Sequence, residues 1–391
     1  MIYDFNKVVD RQGTFCEKYD HRSNVFGSSD IIPMWIADMD FETPPFIMEA
    51  IRERTNHNFL GYSFRGTSYH DAITSWLFRR SGWVVDPSTI LFTPGSMVAV
   101  SFAIDAFTNK GDNIVIQPPV YGPFSWVVEF NERRLERNLL KMDEVTLRSE
   151  IDFEDLDRRL AKSKIFLFCS PHNPTGRVFT HDELQKVADL CIKHNVIIVS
   201  DEVHCDIIHK PHKFIHISSI SEEVAARCIT IVSGSKTFNM AGLSTTAVVI
   251  PNKELRDKFF ASAEKAHINQ GNLFGRVALE AAFTYGDEWL DQMLEYLGGT
   301  IDYVLDFVAK HMPEVKCYRP ESTYMIWFDF RAWGMTHTEL REFMVAKAKI
   351  GFTEGEFFGK EGSGYMRMNI AAPRSIVEKA MHQLYQASLE R

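Results

Sequence analysis

The chain has 391 residues, 45% of them hydrophobic and 24% charged, which is enough for a large globular domain and a smaller one. Its formal net charge of −9 argues against nucleic acid or an anionic membrane as the main partner, because both require a basic surface. The sequence has no apolar run of about 18 residues that would predict a transmembrane helix, and its first ten residues lack a signal peptide's hydrophobic stretch. We therefore expect a cytoplasmic protein with no membrane or nucleic-acid partner.

Cysteine spacing supports the same location. The six cysteines, at positions 16, 169, 191, 205, 228 and 317, form no CxxC pair, and several lie in apolar runs. This pattern predicts free, mostly buried thiols in a reducing compartment rather than disulfides.

The predicted elements divide the chain into three parts. Residues 1–45 contain proline and aromatic residues that interrupt any regular pattern, and they predict an extended arm that packs with the small domain. Residues 46–285 alternate short apolar runs with amphipathic helices, the pattern of a mostly parallel sheet with helices on both faces. Residues 286–391 predict a small α+β domain. Long predicted helices connect it to the large domain. The predicted strands of the large domain are Ile90–Thr93, Asn113–Gln117, Lys164–Ser170, Val196–Ser200, Cys228–Ser233 and Thr245–Ile250.

Four of these strands are followed by residues of distinctive chemistry, and ligands of such sheets bind beyond the carboxyl ends of the strands. Pro94-Gly95-Ser96-Met97 opens directly into a helix, whose N-terminus suits a phosphate. The other three strand ends supply the amide Asn173, the carboxylate Asp201 and the amine Lys236. Pyridoxal phosphate requires these groups: a cradle for its phosphate, a carboxylate at the pyridine nitrogen, an amide at the ring oxygen and an amine to form the imine.

The order of three motifs identifies a family resemblance. Asn173-Pro174-Thr175-Gly176, then Ser200-Asp201-Glu202, then Ser233-Gly234-Ser235-Lys236 resembles the class I/II aminotransferase-like, fold-type-I enzymes that use pyridoxal phosphate. The resemblance extends from Trp35 to Arg374. It implies an α/β fold with a mostly parallel seven-stranded sheet sandwiched by helices, a smaller α+β domain and a homodimer.

The resemblance also implies a role for each residue of the site. Lys236 would carry the cofactor as a Schiff base and move the substrate Cα proton, Asp201 would pair with the pyridine nitrogen, and Asn173 would donate to the ring oxygen. Arg367 would clamp the substrate α-carboxylate, which a backbone group of Ala37 would also meet. The other implied positions are Gly95, Ser96, Met97, Ser233 and Ser235 around the phosphate, Tyr121 stacked on the ring and counted with Lys236 as catalytic, His204 beside the cofactor, and Tyr62 reaching the phosphate from the neighbouring subunit.

Two departures from the general family pattern indicate a branch. His204 stands where many members have tyrosine, and Ser244 stands where many have an arginine on the phosphate. Together with the segments 34–41 and 369–374, they resemble the MalY/PatB branch of cystathionine β-lyases and related C–S lyases. Ser322 differs from the glycine usual in that branch.

The branch implies a carbon–sulfur β-lyase that releases a thiol, pyruvate and ammonia from cystathionine, cysteine or another S-substituted cysteine. Two alternatives stay open: an aminotransferase on the same cofactor, and a regulatory protein that keeps the fold without catalysis. The aromatic residues proposed for the distal end of the substrate are Trp35, Phe64, Phe124 and Phe357.

Other cofactors are not expected. The cluster His204, Cys205, His209, His212 and His216 lacks the paired spacing of a zinc site, so no metal is predicted. A dinucleotide is not predicted either, because no GxGxxG motif follows the first strand.

Overall fold

The computed structural model describes residues 1–144, 146–268 and 270–391. Its strands are β1 Ile32–Met34, β2 Ile90–Thr93, β3 Asn113–Ile116, β4 Arg134–Arg137, β5 Lys141–Met142, β6 Ser149–Glu150, β7 Ser163–Cys169, β8 Ile197–Asp201, β9 Cys228–Val232, β10 Thr246–Val249, β11 Lys316–Cys317, β12 Met325–Asp329, β13 Ile350–Glu354 and β14 Tyr365–Asn369.

The helices surround these strands. They are α1 Glu17–Asp20, α2 Arg22–Phe26, α3 Pro45–Thr55, α4 Thr67–Ser81, α5 Ser96–Phe107, α6 Pro123–Phe130, α7 Phe153–Leu160, α8 His181–Lys193, α9 Glu222–Ala225, α10 Gly234–Thr237, α11 Lys253–Lys265, α12 Leu273–Tyr285, α13 Asp287–His311, α14 His337–Ala346 and α15 Arg374–Ser388. Within the described residues, none of these helices combines the length and apolarity needed to cross a membrane.

The main sheet has seven strands in the order β2-β10-β9-β8-β7-β3-β4. Only β10 runs against its neighbours; the other pairings are parallel. β8 and β9 are almost wholly buried and mostly apolar, as expected where helices cover both faces. Six of the seven strands match the predicted ones to within one or two residues. The edge strand β4, Arg-Leu-Glu-Arg, was not predicted because its charged composition carries no apolar signal.

A capping box fixes the start of α8. The Thr180 hydroxyl accepts a hydrogen bond from the Glu183 N–H at 3.2 Å, and the Glu183 carboxylate accepts from the Thr180 N–H at 2.8 Å. This reciprocal capping box satisfies two otherwise free donors at the helix N-terminus. α8 packs its apolar face against the outer side of β7 and β8.

A second sheet has the order β1-β13-β14-β12-β11. β1 comes from the N-terminal segment and pairs in parallel with β13, with Ile32 opposite Ile350. The prediction of an extended arm is therefore wrong in part: this segment also forms α1 and α2, and one strand of the second sheet. The short β1 was not predicted because Pro33 interrupts its pattern. The predicted domain limits themselves stay a prediction.

All six cysteines are free thiols. Four are buried, while Cys16 and Cys317 are partly buried. Burial raises the pKa of the Cys169 and Cys317 thiols to about 12, so both are uncharged near neutral pH and act as small apolar groups.

Candidate active site

A cavity of about 510 Å³ opens at the carboxyl ends of the parallel strands. The strand directions place there the residues that follow β2, β3, β7, β8 and β9, as the sequence predicts. Eight predicted site residues line it: Ala37, Ser96, Tyr121, Asn173, Asp201, His204, Lys236 and Arg367.

Lys236 lies in α10, the single turn that follows β9. Ser233 fixes this turn, because its hydroxyl accepts from the Ser235 N–H at 3.2 Å and donates to the Thr245 carbonyl at 2.9 Å. The Lys236 Nζ donates to the Ala37 carbonyl at 2.9 Å. Burial lowers the pKa of the amine, while the charges of Asp38 and Asp201 act in the opposite direction. A lowered pKa leaves more of the neutral, nucleophilic amine near pH 7.

Asp201 is the last residue of β8 and is buried. Burial raises the pKa of its carboxyl to about 6, although hydrogen bonds from Val203 and Ser96 and the charge of Lys236 favour the ionised form. A cationic group placed against this carboxylate would relieve the cost of burial. The protonated nitrogen of a pyridine ring is such a group.

We expect Asp201→Asn to stabilise the cofactor-free protein near neutral pH. The carboxyl is harder to ionise when folded, with a pKa of about 6 against 3.8, so the stability it contributes is present below about pH 4 and is lost as the pH rises through 6. The penalty above pH 6 reaches about 3 kcal/mol, and asparagine removes it. Urea unfolding at several pH values measures the effect. The exposed Asp71→Asn is the control; a pH-independent difference between Asp201→Asn and wild type would refute the account.

Arg367 and Asn173 form the opposite wall of the cavity. The Arg367 guanidinium donates to the Asn173 Oδ1 at 2.8 Å and to the Trp35 carbonyl at 2.9 Å, and it lies 4.8 Å from the centre of the Phe358 ring. Burial lowers the pKa of Arg367 to about 10. Its Nε has no hydrogen-bond partner, and no carboxylate of the described residues pairs with it. A buried guanidinium in this state favours a carboxylate ligand.

This bond also orients the Asn173 amide. Because the Asn173 Oδ1 accepts from Arg367, its Nδ2 remains the free donor of the side chain. That orientation agrees with the prediction that Asn173 donates to an oxygen of the bound ring.

Tyr121 and His204 are uncharged at the cavity wall. Burial and the charge of Asp201 raise the pKa of the Tyr121 hydroxyl. Burial lowers the pKa of His204 to about 3, and its Nδ1 has no hydrogen-bond partner. His204 packs edge-on against Tyr324, with ring centres 5.9 Å apart. A neutral imidazole with a free ring nitrogen can hydrogen-bond a ligand without adding charge.

The predicted phosphate residues cluster at two turns beside the cavity. Gly95 caps α5 and Ser96 is its first residue, so the α5 N–H groups are available to an anion. The Ser233 and Ser235 hydroxyls lie 2.9 Å apart. Of the predicted phosphate set, only Ser96 lines the cavity itself; Gly95, Met97, Ser233 and Ser235 lie in the adjoining turns.

Tyr62 lies outside the cavity of its own chain. It is 95% exposed on the connection between α3 and α4. Phe59, Leu60 and Phe64 on the same connection are also exposed. Phe64 does not line the cavity, so its predicted place near the distal end of the substrate is wrong for a single chain, whereas Trp35, Phe124 and Phe357 do line it.

The sequence reasoning missed one wall of the cavity. This wall is formed by α2, α14 and β13, through Phe26, Met344, Phe352 and the charged Arg341 and Glu354. β13 was not predicted, and α2 is a five-residue helix without a cap side chain. The available signal was the amphipathic pattern of α14, whose buried residues include Met344.

Ser322 supports the loop that carries Asn173. Its hydroxyl donates to the Gly176 carbonyl at 3.1 Å, and its N–H donates to the same carbonyl. Gly176 has a φ of +70°, and a Cβ there would lie 2.8 Å from Pro320, so glycine is required. The serine in place of the branch's glycine thus adds a hydrogen bond to this loop, and it does not line the cavity.

The histidine cluster does not converge on a point. His209 bonds to the Thr323 carbonyl and His216 to the Glu202 carboxylate. No group of three potential metal ligands was found in the part of the chain that the structure describes.

Together the lysine, the buried carboxylate, the oriented amide and the arginine that has no carboxylate partner among the described residues fit pyridoxal phosphate bound with an amino acid. The fold and the site define the class of pyridoxal-phosphate enzymes with the aminotransferase-like fold. The chain belongs to the aminotransferase class I and II family, whose model matches residues 29–384.

Three relatives resemble the chain over nearly its whole length. Cystathionine beta-lyase PatB of Bacillus subtilis is 38% identical over 97% of this chain and 98% of its own. Protein MalY of Escherichia coli is 33% identical over 99% of both chains. Cystalysin of Treponema denticola, whose crystal structure contains pyridoxal 5'-phosphate, is 34% identical, covers all of both chains and superimposes with a TM-score of 0.97.

Proposed function

We propose that this protein is a pyridoxal-phosphate-dependent carbon–sulfur β-lyase that converts an S-substituted cysteine into a thiol, pyruvate and ammonia. The observation that carries the proposal is the cavity that joins the Lys236 amine to Arg367, a buried guanidinium with no carboxylate partner among the described residues. The likeness to PatB, named a cystathionine beta-lyase, supports the choice of reaction.

The cofactor would be held by residues at five strand ends. Lys236 would provide the covalent anchor, Asp201 would pair with the pyridine nitrogen, Asn173 would donate to the ring oxygen and Tyr121 would stack on the ring. The α5 N-terminus and the serines beside Lys236 would receive the phosphate. When bound, pyridoxal phosphate supplies an electron sink that makes the Cα proton of the amino acid acidic.

Arg367 would bind and orient the substrate. Its guanidinium can form two parallel hydrogen bonds to the α-carboxylate, while the Trp35 carbonyl and Asn173 hold it in place. A fixed carboxylate sets the direction of the Cα–H bond toward Lys236. This positioning lowers the entropic part of the barrier.

Lys236 would then move the proton. Its free amine would remove the proton at the substrate Cα and hold it as an ammonium group, which would afterwards pass it to the released thiolate or to water. The sulfur leaves from Cβ with little assistance, because thiols ionise near neutral pH. The cavity wall needs no second acid, which agrees with the neutral His204 and Tyr121.

Two positions bear on the choice between β-lyase and aminotransferase activity. His204 and Ser244 replace the tyrosine and arginine that the resemblance assigns to typical aminotransferases. Ser244 has a φ of 47° in the turn after α10, and its short hydroxyl carries no charge for the phosphate. These replacements favour elimination as the main activity.

We further propose a cytoplasmic homodimer in which Tyr62 reaches the phosphate of the partner's site. The exposed aromatic side chains around Tyr62 support this, because such a patch is costly to leave in water. The six free cysteines fit a reducing compartment.

A substrate panel tests the function. Holoenzyme is incubated with cystathionine, cysteine or S-methylcysteine and no oxo-acid acceptor, and pyruvate and thiol are followed. We expect sustained, stoichiometric release of both from at least one substrate. A single turnover that resumes only after an oxo acid is added would show an aminotransferase instead, and a holoprotein that reacts with none would favour a regulatory role.

A further inference from the structure

Five consecutive backbone carbonyls, from Trp35 to Met39, each accept a hydrogen bond from a side chain. Arg367 binds the Trp35 carbonyl at 2.9 Å and Lys236 binds that of Ala37 at 2.9 Å. Lys18 binds the Asp38 carbonyl at 2.9 Å, and Arg11 binds that of Met39 at 2.8 Å. Unlike a strand, this segment (residues 35–39) is therefore held by side chains, two of which belong to the reaction.

Asn369 holds the centre of this segment. Its Nδ2 donates to the Ile36 carbonyl at 2.7 Å and to the Asp38 carbonyl at 2.8 Å. The Asp38 N–H also donates to the Ile36 carbonyl at 2.8 Å, which closes a three-residue turn around Ala37. One amide thus fixes the carbonyls on both sides of Ala37, whose own carbonyl receives the Lys236 Nζ.

The position of Asn369 in the fold links it to Arg367. The two residues are two apart on β14 and therefore lie on the same face of the strand. Asn369 is fully buried, and its Oδ1 accepts a hydrogen bond from the Ala371 N–H at 2.8 Å. Both ends of its side-chain amide therefore form hydrogen bonds within the protein. It does not line the cavity. An effect of Asn369 on the reaction is therefore indirect, and its two hydrogen bonds to the segment form the direct route to Lys236.

We propose that Asn369 is a positioning residue for the proton transfer: it fixes the Ala37 carbonyl that receives the Lys236 ammonium group. The two sequence segments 34–41 and 369–374 thereby have one joint role, since the Asp40 N–H also donates to the Ala371 carbonyl at 2.8 Å. Loss of the amide frees the turn at Ala37, and the lysine loses the acceptor that sets its direction. This inference rests on the proposed role of Lys236 as the base.

Alpha-proton exchange of L-alanine in D₂O tests the proposal on the holoenzyme. Alanine has no leaving group at Cβ, so NMR measures proton transfer alone. A titration with alanine, followed by the cofactor absorbance, gives the Kd of alanine. We expect Asn369→Ala to slow exchange on the order of 10²-fold, with a smaller change in Kd. Asn369→Ser, which keeps one donor, should lie between Asn369→Ala and wild type and serves if the alanine variant does not fold.

Asn138 offers a matched control. It is also fully buried, donates twice, to the Asp152 carbonyl and the Asp155 carboxylate, and accepts once, from Gln117. Asn138→Ala should lower the Tm comparably and leave exchange unchanged. An exchange rate in Asn369→Ala near that of wild type, or a fall matched by Asn138→Ala, would overturn the proposal. A wild-type enzyme that exchanges the alanine proton but never releases pyruvate from a substrate would contradict only the proposed lyase function. A wild-type enzyme that does not exchange the proton would contradict both the lyase function and the positioning role of Asn369.

Discussion

Lys236→Ala should lower pyruvate release on the order of 10⁴-fold or more, because it removes both the covalent anchor and the base. The structure places no other lysine of the described residues on the cavity wall, so no neighbouring amine replaces it. Fold stability should change little, since the Nζ makes a single hydrogen bond, to Ala37. Initial rates of pyruvate release, with an S-substituted cysteine that the wild-type enzyme cleaves, measure the loss of activity.

Lys236→Arg is the matched variant. It keeps the positive charge and can still donate to the Ala37 carbonyl, but a guanidinium does not give up its proton. It should therefore be as inactive as Lys236→Ala while retaining the Tm of wild type. Substantial activity in either variant would show that another group moves the proton.

Arg367→Leu should reduce kcat/KM roughly 10²- to 10³-fold, the range for removing one partner of a buried, hydrogen-bonded charge pair. The loss arises from the carboxylate that Arg367 binds and from the Asn173 Oδ1, which loses its donor. Steady-state kinetics give the ratio, and alanine titration of the cofactor absorbance gives the affinity directly.

Arg367→Lys separates charge from geometry. Lysine keeps a cation but loses the two parallel hydrogen bonds and the contact with the Phe358 ring. We expect activity between Arg367→Leu and wild type. If Arg367→Leu kept its affinity for alanine, the substrate carboxylate would have to bind elsewhere.

Much of the site could be predicted from the sequence because it depends on strand order. Asn173, Asp201 and Lys236 each lie at the end of a strongly apolar strand or within four residues of it, and parallel strands bring their carboxyl ends to one edge. The charged edge strand β4 carries no such signal. The role of Asn369 could not be predicted, because it depends on contacts between residues more than 300 positions apart.

The cavity wall made by α2, α14 and β13 was missed for a related reason. Its residues, such as Phe26 and Phe352, are ordinary core residues in the sequence and become a wall only when the N-terminal segment lies beside the second sheet. For Tyr62 the sequence implied a role that a single chain does not display. Its role was implied by resemblance alone, and in a single chain it is exposed.

The attachment of the cofactor to Lys236 is the claim on which the rest of the mechanism depends. Borohydride reduction of the holoenzyme fixes the cofactor on the lysine that carries it, and mass spectrometry of the digested protein locates it. We predict one pyridoxyl phosphate group per chain, on the peptide that contains Lys236. A modified peptide containing another lysine instead, or no modification at all, would contradict the account.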